Sequence, residues 1–395
     1  MAVLQPIPSP TLIGHPFNPI GTGRALRVTL AALWAVGVRP RVRDIWEFQT
    51  PEPSQARDIL PLRTSEFGAI NIFHINGMEI QKTLERLGPL PSGHNIIQPF
   101  WELPRYPSDW TSDVELFDEI WAPSRFVFDA ISAAVDRPVH HMSLPVEVDI
   151  DQFLSRRYFG ISEASFAFLF MFDLKSYIAR KNPQALIRCF RQLIATRPWS
   201  AITLVVKVQG IDAAEGDARA FVESLEDLGS RVVVIDRMMT DAEVAGLIAC
   251  CDAFVSLHRS EGFGLSLAEA MYLGIPTIAT AWSGNLDFMT SETAELIDYK
   301  LVPVPLDAYP HAEHQVWAEP DIDQATERMT AFVDDPAAAR ALGQRGSRHI
   351  RAHACYRAGG LRYLKRLGII SQERLECSTA VVSIDHAPRP HVRLR

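Results

Sequence analysis

The sequence predicts an α/β protein of two doubly wound, Rossmann-like domains, each a parallel sheet covered by helices on both faces. Three observations lead there. At 395 residues the chain is too long for one ordinary core. Short apolar runs alternate with helical stretches, the pattern of parallel strands joined by crossover helices. The second half repeats the theme of the first, with no shorter fixed-period repeat.

In the first half, residues 11–13 read as a strand. A glycine-rich loop (14–23) follows, then a helix over 24–36 closed by Gly37. Further strands are expected at 69–75, 95–100, 119–122 and 139–144, with a helix from Ser124, a suitable N-cap, to residue 135. Residues 145–153 read as the link, which puts the domains at 1–147 and 148–370. In the second half, strands are expected at 166–172, 202–208, 231–235, 253–257 and 275–279. Helices are expected at 183–195, 218–228, 241–249, 323–333, 337–352 and 359–367. Residues 371–395 lose periodicity and end in a basic run (Arg389, Arg393, Arg395), and read as a tail. Two such domains facing each other place ligands in the cleft at the carboxyl ends of their strands.

Apolar residues make up 47% of the chain and charged residues 22%, ordinary for a globular enzyme. The net charge of −8 argues against a nucleic-acid partner, which favours a basic surface. Five cysteines (Cys189, Cys250, Cys251, Cys355, Cys377) show no metal-ligand spacing and fit a reducing, cytoplasmic setting. The first residues lack a signal-peptide pattern and no apolar run is long enough to span a membrane, which leaves peripheral membrane contact open.

The most informative stretch is Glu261-Gly262-Phe263-Gly264-Leu265-Ser266-Leu267-Ala268-Glu269. It lies between two apolar strands and reads as a glycine loop opening a helix that ends at Gly274. Such a loop presents backbone N–H groups at a helix N-terminus, where a phosphate is stabilised. A carboxylate beside it repels phosphate and is better suited to accept hydrogen bonds from sugar hydroxyls. Phosphate cradle and carboxylates together suit a nucleotide-sugar.

This segment resembles the E-x7-E element of retaining glycosyltransferases of the GT-B fold, family 4, and the resemblance extends over most of residues 10–370. It implies that Glu261 contacts the donor sugar and Glu269 the nucleotide ribose, with Gly262, Phe263, Gly264 and Leu265 forming the loop between. It implies further that Arg180, after the first strand of the second domain, and Lys207, near the end of the second strand, clamp the donor diphosphate. Lys181 is an adjacent candidate. Lys207 stands in an otherwise apolar strand, where an unpaired charge is costly. Backbone groups near Met238 are expected to meet the base. Gly21 and Gly23 allow close approach of the N-terminal loop, with Arg24 and Arg27 following.

The acceptor side departs from the pattern. Relatives carry a histidine after a strand of the first domain, and here the strand at 95–100 runs into Trp101-Glu102. Glu102 thus occupies the histidine-like place, to contact the donor sugar or take the acceptor's proton. His15 and His74 are the other candidates. Trp101, Tyr106 and Trp110 either stack on sugar faces or pack beneath a loop. Gly284 and Asn285 are expected at the cleft rim, and His258 to Ser260 beside Glu261. Two Asp-x-Asp pairs, Asp149/Asp151 and Asp321/Asp323, read as a domain junction and a helix start, so no metal is expected.

The resemblance implies transfer of a hexose from a UDP- or GDP-sugar to a glycan or lipid-linked glycan, with retained anomeric configuration, in surface polysaccharide assembly. The donor is a substrate, and no permanently bound cofactor is expected. A nucleotide-sugar epimerase of the same fold and a non-catalytic glycosyltransferase-like scaffold are the alternatives.

Overall fold

The computed structural model describes residues 9–47, 51–150, 152–174, 176–211 and 216–385. Asp151, Lys175 and the basic residues Arg389, Arg393 and Arg395 lie outside them.

Two six-stranded parallel sheets form the frame. The first contains β1 (Thr11–Gly14), β2 (Arg41–Asp44), β3 (Ile70–Phe73), β4 (His94–Ile97), β5 (Glu119–Ala122) and β6 (Val139–His141), in the order β2-β1-β3-β4-β5-β6. The second contains β7 (Phe166–Met171), β8 (Ile202–Val208), β9 (Val232–Asp236), β10 (Ala253–Ser256), β11 (Thr277–Thr280) and β12 (Glu295–Ile297), in the order β12-β11-β10-β7-β8-β9. The central strands are buried on both faces, which is why their sequences are apolar runs rather than alternating ones. In each sheet the strand order reverses once, between β1 and β3 and between β7 and β10. A crevice opens where the chain turns to opposite sides of the sheet, at the carboxyl ends of those strands.

Three features depart from the expected elements. The edge strand β2 reads Arg-Val-Arg-Asp, and its alternating charges suit a border position but give no apolar run. After β12 an antiparallel hairpin appears, β13 (Tyr299–Pro303) with β14 (Val316–Pro320), where the sequence shows no strand signal.

The third departure corrects the expected tail. The last helix runs over Tyr356–Asp385, through residues assigned to a tail from 371. It packs against the Gly21–Ala35 helix of the first sheet, so close that a Cβ on Gly360 would meet the Ala32 carbonyl oxygen at 2.1 Å. Tyr363, fully buried, stacks on Trp121 of β5 with centroids 5.2 Å apart and planes at 11°. Arg366 reaches the buried Glu119 carboxylate at 2.5 Å. Burial opposes ionisation of Glu119, but His140, His94, Arg366 and Trp121 outweigh it and hold its pKa well below the usual range.

The chain crosses between the sheets twice, and the crossings lie together. The Val146 N–H bonds the Ala354 carbonyl at 2.6 Å, and the Tyr356 N–H bonds the Glu147 carboxylate at 2.7 Å. The Tyr363–Trp121 stack makes the return helix part of the first core, so Tyr363→Ala is expected to cost about 3–5 kcal/mol, measured by urea unfolding.

Candidate active site

A cleft of about 690 Å³ lies between the sheets, reached by the loops after β1, β3, β4, β7, β8 and β10. It is lined by residues from both halves, including Gly21, Arg24, Glu102, Arg180, Lys181, Lys207, Met238, Glu261 and Glu269.

The glycine loop takes the geometry its sequence requires. Gly264 sits at φ +88°, a conformation disfavoured for a side-chain-bearing residue, and turns the chain into the Leu265–Tyr272 helix. No side chain caps that helix, so its first N–H groups remain available. Phe263 is buried and packs against Phe288, with centroids 5.1 Å apart. The Gly262 carbonyl accepts a 2.5 Å bond from Ser124 of the first half.

Glu261 is the centre of the charged cluster. Its carboxylate takes Lys181 Nζ at 2.5 Å on one oxygen and Arg180 at 3.3 Å on the other. Arg180 is only 4% exposed; it also donates to the Ser260 carbonyl at 2.9 Å and stands 3.9 Å from Glu102. The loop that presents these cations folds through two left-handed non-glycine residues, Tyr177 at φ +59° and Asn182 at φ +53°. Asn182 is held by a 3.0 Å bond to the Leu257 carbonyl. Burial opposes ionisation of Glu261, but Lys181, Arg180 and His258 push its pKa down from 4.5 to about 2. Arg180 is correspondingly raised, because Glu102 and Glu261 outweigh its burial.

Lys207 points from β8 into the same space without a hydrogen bond or ion pair among the described residues. Burial lowers its pKa, against the pull of Asp173 and Asp236.

Glu269 is 8% exposed and meets the first half directly. Arg24 donates to a single oxygen, Oε1, from Nε at 3.1 Å and Nη2 at 2.9 Å, and to Asp241 from Nη1 at 2.7 Å. Arg27 joins Asp241 at 3.5 Å. Burial raises the Glu269 pKa and Arg24 opposes it. Gly23 has no room for a side chain, since a Cβ there would lie 2.3 Å from the Asn18 carbonyl oxygen. That contact presses the start of the Gly21–Ala35 helix, and Arg24 with it, against the N-terminal loop.

Trp101 and Trp110 edge the cleft, whereas His74 and Asn285 are buried away from it. His74 is fully buried within the first core, where burial drives its pKa down to about 3. Asn285 is fully buried; it bonds the Thr280 carbonyl at 3.1 Å and the His258 ring at 3.1 Å, beneath the loop rather than at its rim. Gly284 presses on the same loop, where a Cβ would meet the Gly262 carbonyl oxygen at 2.3 Å. Trp101 is 2% exposed, with its indole N–H bonded to the Arg105 carbonyl at 2.8 Å. Trp101, Tyr106 and Trp110 pack edge to face, the arrangement of a supported loop. His15 bonds Glu79 at 3.0 Å, joining the loops after β1 and β3 at the first switch point. Sequence reasoning passed over Asp241, Tyr177, Glu79 and Tyr309. Asp241 follows a capping threonine and reads as a helix start; nothing local marks it as a partner across the cleft.

Residues 166–349 match the family model described as glycosyl transferases group 1. Over that span the chain is similar to group 1 glycosyltransferases. A GDP-mannose-dependent monoacylated alpha-(1-6)-phosphatidylinositol monomannoside mannosyltransferase of Corynebacterium glutamicum is 24% identical over 182 residues, 44% of this chain and 40% of that protein. Anabaena HepE, solved in complex with UDP and glucose, superimposes with a TM-score of 0.67 at 12% identity, over 91% of this chain and 99% of that one. Sucrose-phosphate synthase from Thermosynechococcus elongatus gives 0.65 at 14% identity, over 93% and 100%. S. aureus TarM gives 0.55 at 12% identity, over 75% of this chain and 55% of that one. The architecture is GT-B, with two Rossmann-like sheets facing across a cleft.

The Glu261 cluster sets a pH dependence. Its depressed pKa contributes stability that is complete above about pH 4.5 and lost as pH falls through about 2. Glu261→Gln should flatten the stability curve over that window. At pH 7 it should cost about 3–5 kcal/mol, because two buried cations lose their counter-charge. Urea titrations between pH 2 and 7 on both proteins measure it.

Proposed function

We propose that this chain transfers a hexosyl group from a nucleoside diphosphate sugar to a glycan or lipid-linked glycan, with retention at the anomeric carbon. The observation that carries this reading is the convergence of Arg180, Lys181 and Lys207 on one cleft with Glu261, Glu269 and an uncapped helix N-terminus. Three cations and a row of free N–H groups match a diphosphate, and two carboxylates match hydroxyls of sugar and ribose.

In this reading the diphosphate takes over the cations that Glu261 now neutralises. Glu261, ionised throughout the physiological range, then accepts hydrogen bonds from donor-sugar hydroxyls. The bond from the anomeric carbon to the phosphate oxygen breaks, and its electron pair stays with the phosphate. Arg180, Lys181 and Lys207 stabilise the charge that develops there. The acceptor oxygen bonds the anomeric carbon from the same face, and its proton passes to the departing phosphate oxygen. Both bonds from Arg24 to Glu269 fall on Oε1, which leaves Oε2 for the ribose hydroxyls. Gly21 borders the diphosphate with Gly23 packed behind it on the N-terminal loop, and Met238, more than half exposed in the cleft, lies on the base side.

The proposed domains are 1–147 on the acceptor side and 148–370 on the donor side, with the Tyr356–Asp385 helix returning to the first. The Corynebacterium mannosyltransferase is GDP-mannose-dependent and HepE was solved with UDP, so both bases are open donor classes. A cytoplasmic setting with peripheral membrane contact and a role in surface polysaccharide assembly belong to the same proposal. No helix among the described residues is long and apolar enough to cross a membrane.

Calorimetry against UDP, GDP and ADP, with and without EDTA, tests the donor site. One nucleotide should bind equally well in EDTA, and Glu269→Ala and Lys207→Ala should each weaken it about tenfold or more. Failure of all three nucleotides to bind would bring the scaffold alternative forward.

A further inference from the structure

The β13–β14 hairpin leaves the second sheet and completes the core of the first. Val304, Tyr309, Ala312 and Trp317 are buried in one cluster with Ile13, Phe73, Trp101 and Phe117. Two bonds fasten its loop. The Gln315 side-chain amide donates to the Arg105 carbonyl at 2.7 Å and accepts from the Arg105 N–H at 3.1 Å. Gln315 is only 5% exposed, so this backbone-like pairing is shielded from water.

The arm delivers Tyr309 and Pro310 to the cleft. Tyr309 is 7% exposed; its ring lies 4.7 Å from that of Tyr177, on the cation-bearing loop, and 5.6 Å from Trp101. Its hydroxyl donates to Glu102 Oε2, while Arg180 stands 3.9 Å from Oε1. Burial and the adjacent Glu102 push the Tyr309 phenol well above its ordinary pKa, so the hydroxyl stays protonated and the donor is unambiguous. Both oxygens of Glu102 are thus addressed from the second half of the chain. One oxygen faces the arm and the other the cation cluster.

Beyond Glu102 the cleft changes character. Its wall there is Met78, Glu79, Trp110, Tyr177, Tyr309 and Pro310, aromatic and apolar surface with a carboxylate. Arg180 is already shared among Glu261, Glu102, Ser260 and Ser176, and Glu79 meets the His15 ring and the Asn76 N–H. Aromatic faces with carboxylate acceptors suit the C–H faces and hydroxyls of a pyranose, and two carboxylates in a partly buried space repel an anion.

Resting on the transferase reading, we propose that this arm-lined end of the cleft is the acceptor subsite, that it selects an uncharged sugar over a phosphorylated one, and that Tyr309 is the positioning residue that holds Glu102 for it. Glu102 presents its carboxylate to an acceptor hydroxyl only while Tyr309 fixes its rotamer. Without that bond the carboxylate is free to swing toward Arg180.

Saturation-transfer NMR on the full chain tests this, with methyl α-glucoside, methyl α-mannoside and their 6-phosphates as probes, in the presence of UDP or GDP. At least one neutral glycoside should show binding about tenfold stronger than its phosphate. Tyr309→Phe keeps the ring packing and removes only the hydroxyl. It should weaken the neutral glycoside about tenfold with nucleotide affinity and melting temperature unchanged. Glu79→Gln should narrow the preference over the phosphate. Equal binding of neutral and phosphorylated probes, or a Tyr309→Phe protein that binds them as before, would overturn the proposal. Sugar binding that follows this pattern in a protein that binds no nucleotide would sustain the subsite and sink the transferase reading.

Discussion

Two cations placed in a protein interior require an anion within reach, and in this protein that requirement falls on Glu261. Arg180 is buried and Lys181 nearly so, and neither position is tolerable without compensation. The loop between β7 and the Pro183–Thr196 helix accepts two left-handed non-glycine residues to bring both cations to one carboxylate. The glycine loop after β10 is shaped to present that carboxylate, with Gly264 supplying the reversal and Gly284 the close approach from behind. Strand order sets the stage, since β7 and β10 flank the one reversal in their sheet and their following loops must meet. The pairing is of a kind that an incoming anion can replace, because a diphosphate offers the same cations more charge than a single carboxylate does.

The cleft belongs to both halves of the chain. Arg24 and Arg27 reach across to Asp241 and Glu269, Ser124 to Gly262, and Ser260 to the backbone of Glu102. Asp287 receives the Arg125 N–H at 2.9 Å and the His141 ring at 2.6 Å. Much of this bonding is charge-assisted, and it adds directional contacts to apolar cores that both halves share.

The parallel sheets and the principal charged residues were legible in the sequence because each breaks a local rule. Lys207 is a charge in an apolar strand, and Gly264 opens a helix that has no capping side chain. What was not legible depended on side-chain direction or on distant partners. His74 follows β3 and so was expected near the cleft, but it shares the parity of Ile70 and Ile72 and enters the core with them. Asn285 sits on a short turn whose side chain bonds inward to His258. Tyr309 lies in a loop without periodicity, on a hairpin that only the tertiary fold brings beside Glu102. The helical character of residues 359–367 was plain, but nothing in an amphipathic face states which sheet will cover it.

The adjacent crossings of the chain carry a mechanical consequence. Residues 146–147 and 354–356 are pinned to each other, so the two backbone crossings form a short line rather than a point. A joint of that shape resists twisting and sliding but permits swinging about its own axis, as two hinges fix the path of a door. Any such swing is limited further by the β13–β14 arm, whose Val304, Tyr309, Ala312 and Trp317 are buried in the first core. Registration of the cleft walls is thereby a property of where the backbone crosses and of the arm that ties the halves, independent of what fills the space between them.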